Sequence, residues 1–126
     1  MITYIALNPG EEFYREDFEE VTGLVLPEDA KIVFKTASYP DHFGDYASVS
    51  IIQVDEVFHL HLQDQLQKQG MVENQNPPRS DQLEKALDHL AQPIPQKSLS
   101  LQKGDRHYYV GFLPDSQTIL VSRVSE

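Results

Sequence analysis

Apolar residues recur along this chain in two rhythms, and each rhythm predicts an element. Tyr14, Phe18 and Val21 fall at i, i+4 and i+7, which on a helix makes one apolar stripe able to pack on a sheet, with Glu12, Glu16, Glu19 and Glu20 turned away from it. Asn8 is a suitable cap, Pro9 suits the first helical position, Glu11 follows three residues after the cap as in a capping box, and Gly23 is a natural stop. Past Leu24-Val25-Leu26-Pro27 the period changes to two. Residues 30–39 read as a strand with Ile32, Phe34 and Thr36 on one face and Lys31, Val33 and Lys35 on the other. Residues 46–54 read as a second strand, and the Pro40-Asp41-His42-Phe43-Gly44-Asp45 loop between them predicts an antiparallel hairpin.

The stretch 55–69 fits both periods. Phe58, Leu62 and Leu66 suit a helix, whereas Phe58, Leu60 and Leu62 alternating with His59 and His61 suit a strand. The flanks favour the helix: Asp55 is a good cap, Lys68 falls in the last turn, Gly70 is a good stop, and the glutamine-rich run 63–69 has poor strand propensity. On a helix, His59 and His61 point roughly 200° apart and cannot chelate one ion.

Residues 70–79 are polar with Pro77-Pro78 and read as a surface loop. Ser80 then caps a helix whose Leu83, Leu87 and Leu90 form a core stripe, ended by Pro93 and Pro95. Strands over 98–102, 106–113 and 118–124 complete the chain, the last two joined by Pro114-Asp115-Ser116-Gln117. At 126 residues the chain has room for a single domain, 1–126, which buries roughly two-thirds of its unfolded surface. The expected fold class is α+β, an antiparallel sheet of four or five strands with two or three helices packed against it.

Charge changes the picture more than composition does. Residues 1–64 hold 13 acids against Arg15, Lys31 and Lys35, and the remainder holds 7 of each sign, so the whole net charge of −10 lies in the first half. Eight of those acids (Glu11, Glu12, Glu16, Asp17, Glu19, Glu20, Glu28, Asp29) sit between Glu11 and Asp29 with Arg15 as the lone base. Glu12, Glu16 and Glu20 are spaced i, i+4, i+8, each adjacent pair repelling by about 0.2–0.5 kcal/mol, and Glu19 and Glu20 oppose the helix dipole. A solvated helix face accounts for acids in general, but mixed-sign pairs would solubilise and stabilise it better.

This balance argues against a nucleic-acid backbone or an anionic membrane as partner and favours a cationic one. With no cysteine there is no thiolate nucleophile, cysteine metal site or disulfide, which suits a reducing cytoplasmic location. The opening Met1–Leu7 lacks a basic segment and its apolar run stops at Asn8-Pro9-Gly10, so it reads as neither signal peptide nor membrane span. The glycines are spread singly, leaving no phosphate-cradling loop, and no nucleophile elbow or triad spacing occurs. The expectation is a protein that is not an enzyme, with no catalytic residues, no cofactor and no bound metal. An alternative makes it a small metal-binding protein or enzyme using His42, Asp45, His59 and His61, and a third reading is a structural or adaptor domain.

From Phe18 to Gly70 the order Phe18, Thr22-Gly23, Leu26-Pro27, Ala30, a hairpin turning at Gly44-Asp45-Tyr46, and a helix ending in glycine resembles that of small acidic bacterial proteins that neutralise contact-delivered or secreted toxins. It covers less than half the chain. The resemblance implies a cysteine-free α+β immunity protein that binds a cognate protein toxin with a basic surface, a nuclease or another enzyme with a basic cleft, and inhibits it by occlusion. Carboxylates on Glu12, Glu16, Glu19 and Glu20 would steer the encounter, with Asp41 and Asp45 adding charge and Tyr39, Phe43 and Tyr46 acting as packed anchors. The oligomeric state is left open.

Overall fold

The structure, a computed structural model, describes residues 11–37, 46–73, 81–90 and 97–125. Within them three helices, α1 (Glu11–Thr22), α2 (Glu56–Lys68) and α3 (Asp81–His89), accompany six strands: β1 (Lys31–Ala37), β2 (Tyr46–Gln53), β3 (Val72–Glu73), β4 (Lys97–Lys103), β5 (Arg106–Phe112) and β6 (Thr118–Ser125). The strands form one sheet in the order β1-β2-β6-β5-β4-β3, and every pairing is antiparallel. The fold is therefore α+β with an antiparallel sheet of six strands, not the four or five expected. The extra strand is β3, two residues inside the stretch read as loop; it pairs Val72 with Ser100 and Glu73 with Leu99, and two residues are too few to show a period.

Alternation along the strands feeds two cores, one on each side of the sheet. Ile52, Leu99, Tyr108, Val110, Phe112, Ile119 and Val121 meet Phe18 and Val21 of α1 and Leu62 and Leu66 of α2. On the opposite face Val49, Ile51, Tyr109, Leu113 and Leu120 meet Leu83 and Ala86 of α3, with Leu87 and Leu90 partly buried beside them. The predicted stripes of α1 and α3 both face the sheet. Phe18, Leu62 and Leu66 are wholly buried, each contributing on the order of 1.5–3 kcal/mol.

The ambiguous stretch is the helix α2. The Asp55 carboxylate accepts the Phe58 amide at 2.7 Å as N-cap, Lys68 lies in the last turn, and Gly70 follows at φ +99°. Gly23 ends α1 at φ +75°, donating its amide to the Glu19 carbonyl at 2.7 Å. The proposed starts at Asn8 and Ser80, the stops at Pro93 and Pro95, and the loop 40–45 lie outside the described residues.

The faces of β1 depart from simple alternation. Ile32 faces Ile52 and Phe34 faces Ile51, so Val33 is an extra residue, a β-bulge. Ile32 consequently packs on the α1/α2 core while Phe34 packs on the α3 core, where strict alternation would have put them together. A bulge reverses the parity of all that follows it, and nothing in the run Lys31-Ile32-Val33-Phe34 announces it.

Candidate functional site

The acidic segment divides once α1 is docked. Tyr14, Asp17, Phe18 and Val21 occupy i, i+3, i+4 and i+7, so Asp17 lies inside the apolar stripe and is buried at 8% exposure. Its carboxylate accepts a short hydrogen bond from the Ser48 hydroxyl of β2 and a 3.0 Å bond from Arg123 Nη1 of β6. Arg123 continues the buried parity of Ile119 and Val121 on the same strand, and its Nε lies 3.0 Å from Glu20 Oε2. The Tyr108 hydroxyl of β5 donates to that same Glu20 oxygen at 2.9 Å, with Arg106 Nη1 at 3.7 Å. One network thus ties α1 to three adjacent strands.

Electrostatics follow from this packing. Burial raises the Asp17 carboxyl above its ordinary value, outweighing the Ser48 and Arg123 hydrogen bonds that lower it. Tyr14, one turn before it, is pushed up to about 12, first by burial and then by the Asp17 charge. The Tyr108 hydroxyl is also raised, chiefly by burial.

Glu20, expected on the open face, is therefore engaged with the sheet: side chains at i+2 and i+3 from Phe18 and Asp17 can bend over the edge of the stripe toward a buried arginine. Glu12, Glu16 and Glu19 are exposed and make no ion pair among the described residues. Arg15, expected to offset them, is turned elsewhere: its Nη1 donates to the Pro27 carbonyl at 3.2 Å and its Nη2 to the Ala30 carbonyl at 3.3 Å. Those bonds pin the turn carrying the exposed Glu28 and Asp29 against the helix. Glu12, Glu16, Glu19, Glu28 and Asp29 are all exposed on this helix and turn.

The other predicted anchors contribute no geometry. Tyr39, Asp41, His42, Phe43 and Asp45 lie outside the described residues, and of Tyr46 only its backbone place in β2, opposite Ser125, is described. The histidine alternative does not assemble on α2. His59 is buried at 3% exposure against Phe112, ring centroids 5.1 Å apart, whereas His61 is exposed. The His59 Nδ1 meets the Gln63 amide at 3.2 Å, and burial is the leading cause that holds its pKa below the ordinary value, against the Thr118 backbone and the Asp115 charge. Among the described residues no group of three His, Asp or Glu converges as a metal site, and no helix is long and apolar enough to cross a membrane.

Sequence reasoning missed Asp17 and Arg123 as a pair, although a signal existed: each is a charge at the buried parity of its own element. Set against protein families, curated proteins and solved structures, the chain finds no match.

Proposed function

We propose that this protein is a binding inhibitor of the immunity kind, which docks α1 and the following turn onto a basic protein toxin and blocks it by occlusion, without catalysis, cofactor or metal. The observation that carries this reading is an exposed acidic surface whose carboxylates make no ion pair among the described residues. Asp17 and Glu20 are paired with the sheet, whereas Glu12, Glu16, Glu19, Glu28 and Asp29 are exposed and make no ion pair among the described residues, with the single charge of Arg15, hydrogen-bonded to the Pro27 and Ala30 carbonyls, as a partial counterweight. Such an array costs helix stability through like-charge repulsion, and a basic partner would recover that cost on binding. Cytoplasmic placement belongs to the same reading, since a producing cell needs its protector where a nuclease toxin would act.

The test begins with affinity capture from the source cells at low salt, followed by association kinetics with the purified partner. Reversing Glu12, Glu16 and Glu19 together to Lys should slow association by about tenfold or more at low ionic strength, with the gap closing as salt rises. The partner's toxicity should be neutralised at a one-to-one ratio. An on-rate unmoved by the triple reversal would sink charge steering, and a partner left active in the complex would sink inhibition.

A further inference from the structure

The first two turns of α2 carry an apolar and aromatic arc on the side that the core does not use. At about 100° per residue, Leu60, Val57, His61 and Phe58 fall next to one another around roughly 160° of the helix, whereas His59, Leu62 and Leu66 form its buried side. Val57 is 79% exposed and Leu60 65%, so both offer surface to a partner. The other exposed large hydrophobics among the described residues, Val25, Val33 and Val72, stand singly elsewhere in the chain; two in successive turns of one helix make a patch. Phe58 extends this patch toward α1. It is half-buried, and its ring centroid lies 6.5 Å from that of His61 and 6.2 Å from that of Phe18. Both helices pack on the same face of the sheet, so the positions opposite their buried stripes face outward together, with Glu12, Glu16 and Glu19 on α1 beside the arc on α2. The free charges bordering the patch are acidic: Glu56 precedes it on α2, and the one cation of that helix, Lys68, is held by Asp64 at 3.0 Å.

We infer that this arc is the apolar anchor of the partner-binding surface, and that its occupant is a basic amphipathic helix of the partner protein. The inference rests on the immunity reading for the basic character of the partner; it adds α2 as a receiving element and a helix as the element received. A patch two turns long on one helix is matched by apolar side chains at i, i+3 and i+4 of another helix laid along it. Lysines or arginines flanking those side chains meet Glu56 on α2 and the carboxylates of α1. An acidic element would oppose those carboxylates, and a wholly apolar one would strip them of water without replacing it. The two parts divide the work of binding: charge on α1 speeds the encounter, and burial of Val57, Phe58 and Leu60 slows the departure.

The experiment uses the whole ¹⁵N-labelled chain and two peptides of about 14 residues with one composition of leucine and lysine, the first with its leucines on one helical face and the second with them scrambled. At about physiological salt the amphipathic peptide should bind at least about tenfold more tightly than the scrambled one, with amide shifts concentrated at residues 57–61 and at Glu16 and Glu19. Val57→Gln with Leu60→Gln replaces two exposed side chains by a good helix former, so the urea midpoint should stay put. That double variant should release the amphipathic peptide about tenfold faster and leave the scrambled one unmoved. Reversing Glu12, Glu16 and Glu19 to Lys should instead slow the association of both peptides. Slowed association in the reversal together with unchanged release in the double variant would overturn the α2 anchor and leave the charge reading standing. The converse would sink charge steering, and with it the basic character of the occupant. Equal affinity for the two peptides, or shifts confined to α1, would also overturn the inference.

Discussion

Removing Arg123 should cost far more than neutralising its partner Asp17, although the two form one ion pair. Arg123→Met strands the Asp17 carboxylate at 8% exposure with the Ser48 hydroxyl as its remaining donor among the described residues. Breaking a buried pair from this side costs about 3–5 kcal/mol, equivalent in a domain of this size to a fall in melting temperature of roughly 10–20 °C. Asp17→Asn leaves Arg123 beside Glu20, 3.0 Å away and partly in water, so the loss should be about 1–2 kcal/mol. Removing both charges as Asp17→Leu with Arg123→Met should recover most of the deficit, leaving Glu20 to Tyr108, Arg106 and solvent. The pH dependence has a definite sign. Asp17 already has a raised pKa when folded, and losing Arg123 raises it further, so the folded variant binds more protons than the unfolded chain and its stability rises as pH falls. Urea unfolding of the three variants followed by far-ultraviolet circular dichroism at pH 7 and pH 5 checks this. Equal losses for Arg123→Met and Asp17→Asn, or an Arg123→Met deficit that does not shrink at pH 5, would refute the reasoning.

Three further outcomes are expected. Burial lowers the folded pKa of His59, so the unfolded chain binds the extra proton first and stability attributable to this residue is lost as pH falls below its unfolded value near 6.5; His59→Leu should flatten the wild-type decline between pH 7.5 and 5.5 in urea titrations. Leu62→Ala should destabilise by about 2–5 kcal/mol and Leu60→Ala, two residues away on the exposed face of the same helix, by no more than about 0.5 kcal/mol; similar losses in thermal unfolding would contradict the burial assigned to α2. Gly23→Ala should cost about 1–2 kcal/mol, since φ is +75° and a Cβ there would approach the Gln69 amide at 3.3 Å, while Gly23→Asn should cost less because asparagine tolerates that backbone; denaturant midpoints of the two variants decide it.

What was legible in the sequence was whatever depends on period and punctuation. The stripes of α1 and α3 face the sheet as spaced, and Asp55 and Gly70 bracket α2 where local chemistry said they would. The hairpin of β5 and β6 has the turn that residues 114–117 suggest, closed by the Asp115 carboxylate accepting the Gln117 and Thr118 amides. What was illegible depends on partners distant in sequence. The bulge at Val33 is a matter of register against β2, β3 exists only because β4 lies beside it, and the destination of Arg15 is a pair of carbonyls more than ten residues further along. The acidic surface was legible as a charge count and illegible as a shape, because a count cannot tell a carboxylate facing Arg123 from one facing water.

The strand order has a consequence for how this molecule comes into being. β6, the last strand in the sequence, lies between β2 from the acidic first half and β5 from the electrically balanced second half, pairing with both along its length. On a ribosome working from the amino end, the hairpin of β1 and β2 and the helices α1 and α2 all emerge before the strand that completes their sheet, and Arg123, the counter-charge of Asp17, arrives with it. Until then a segment rich in carboxylates lacks the strand against which its apolar stripes pack. Net negative charge on that segment would oppose association between two incomplete copies through the sheet that is still unfinished.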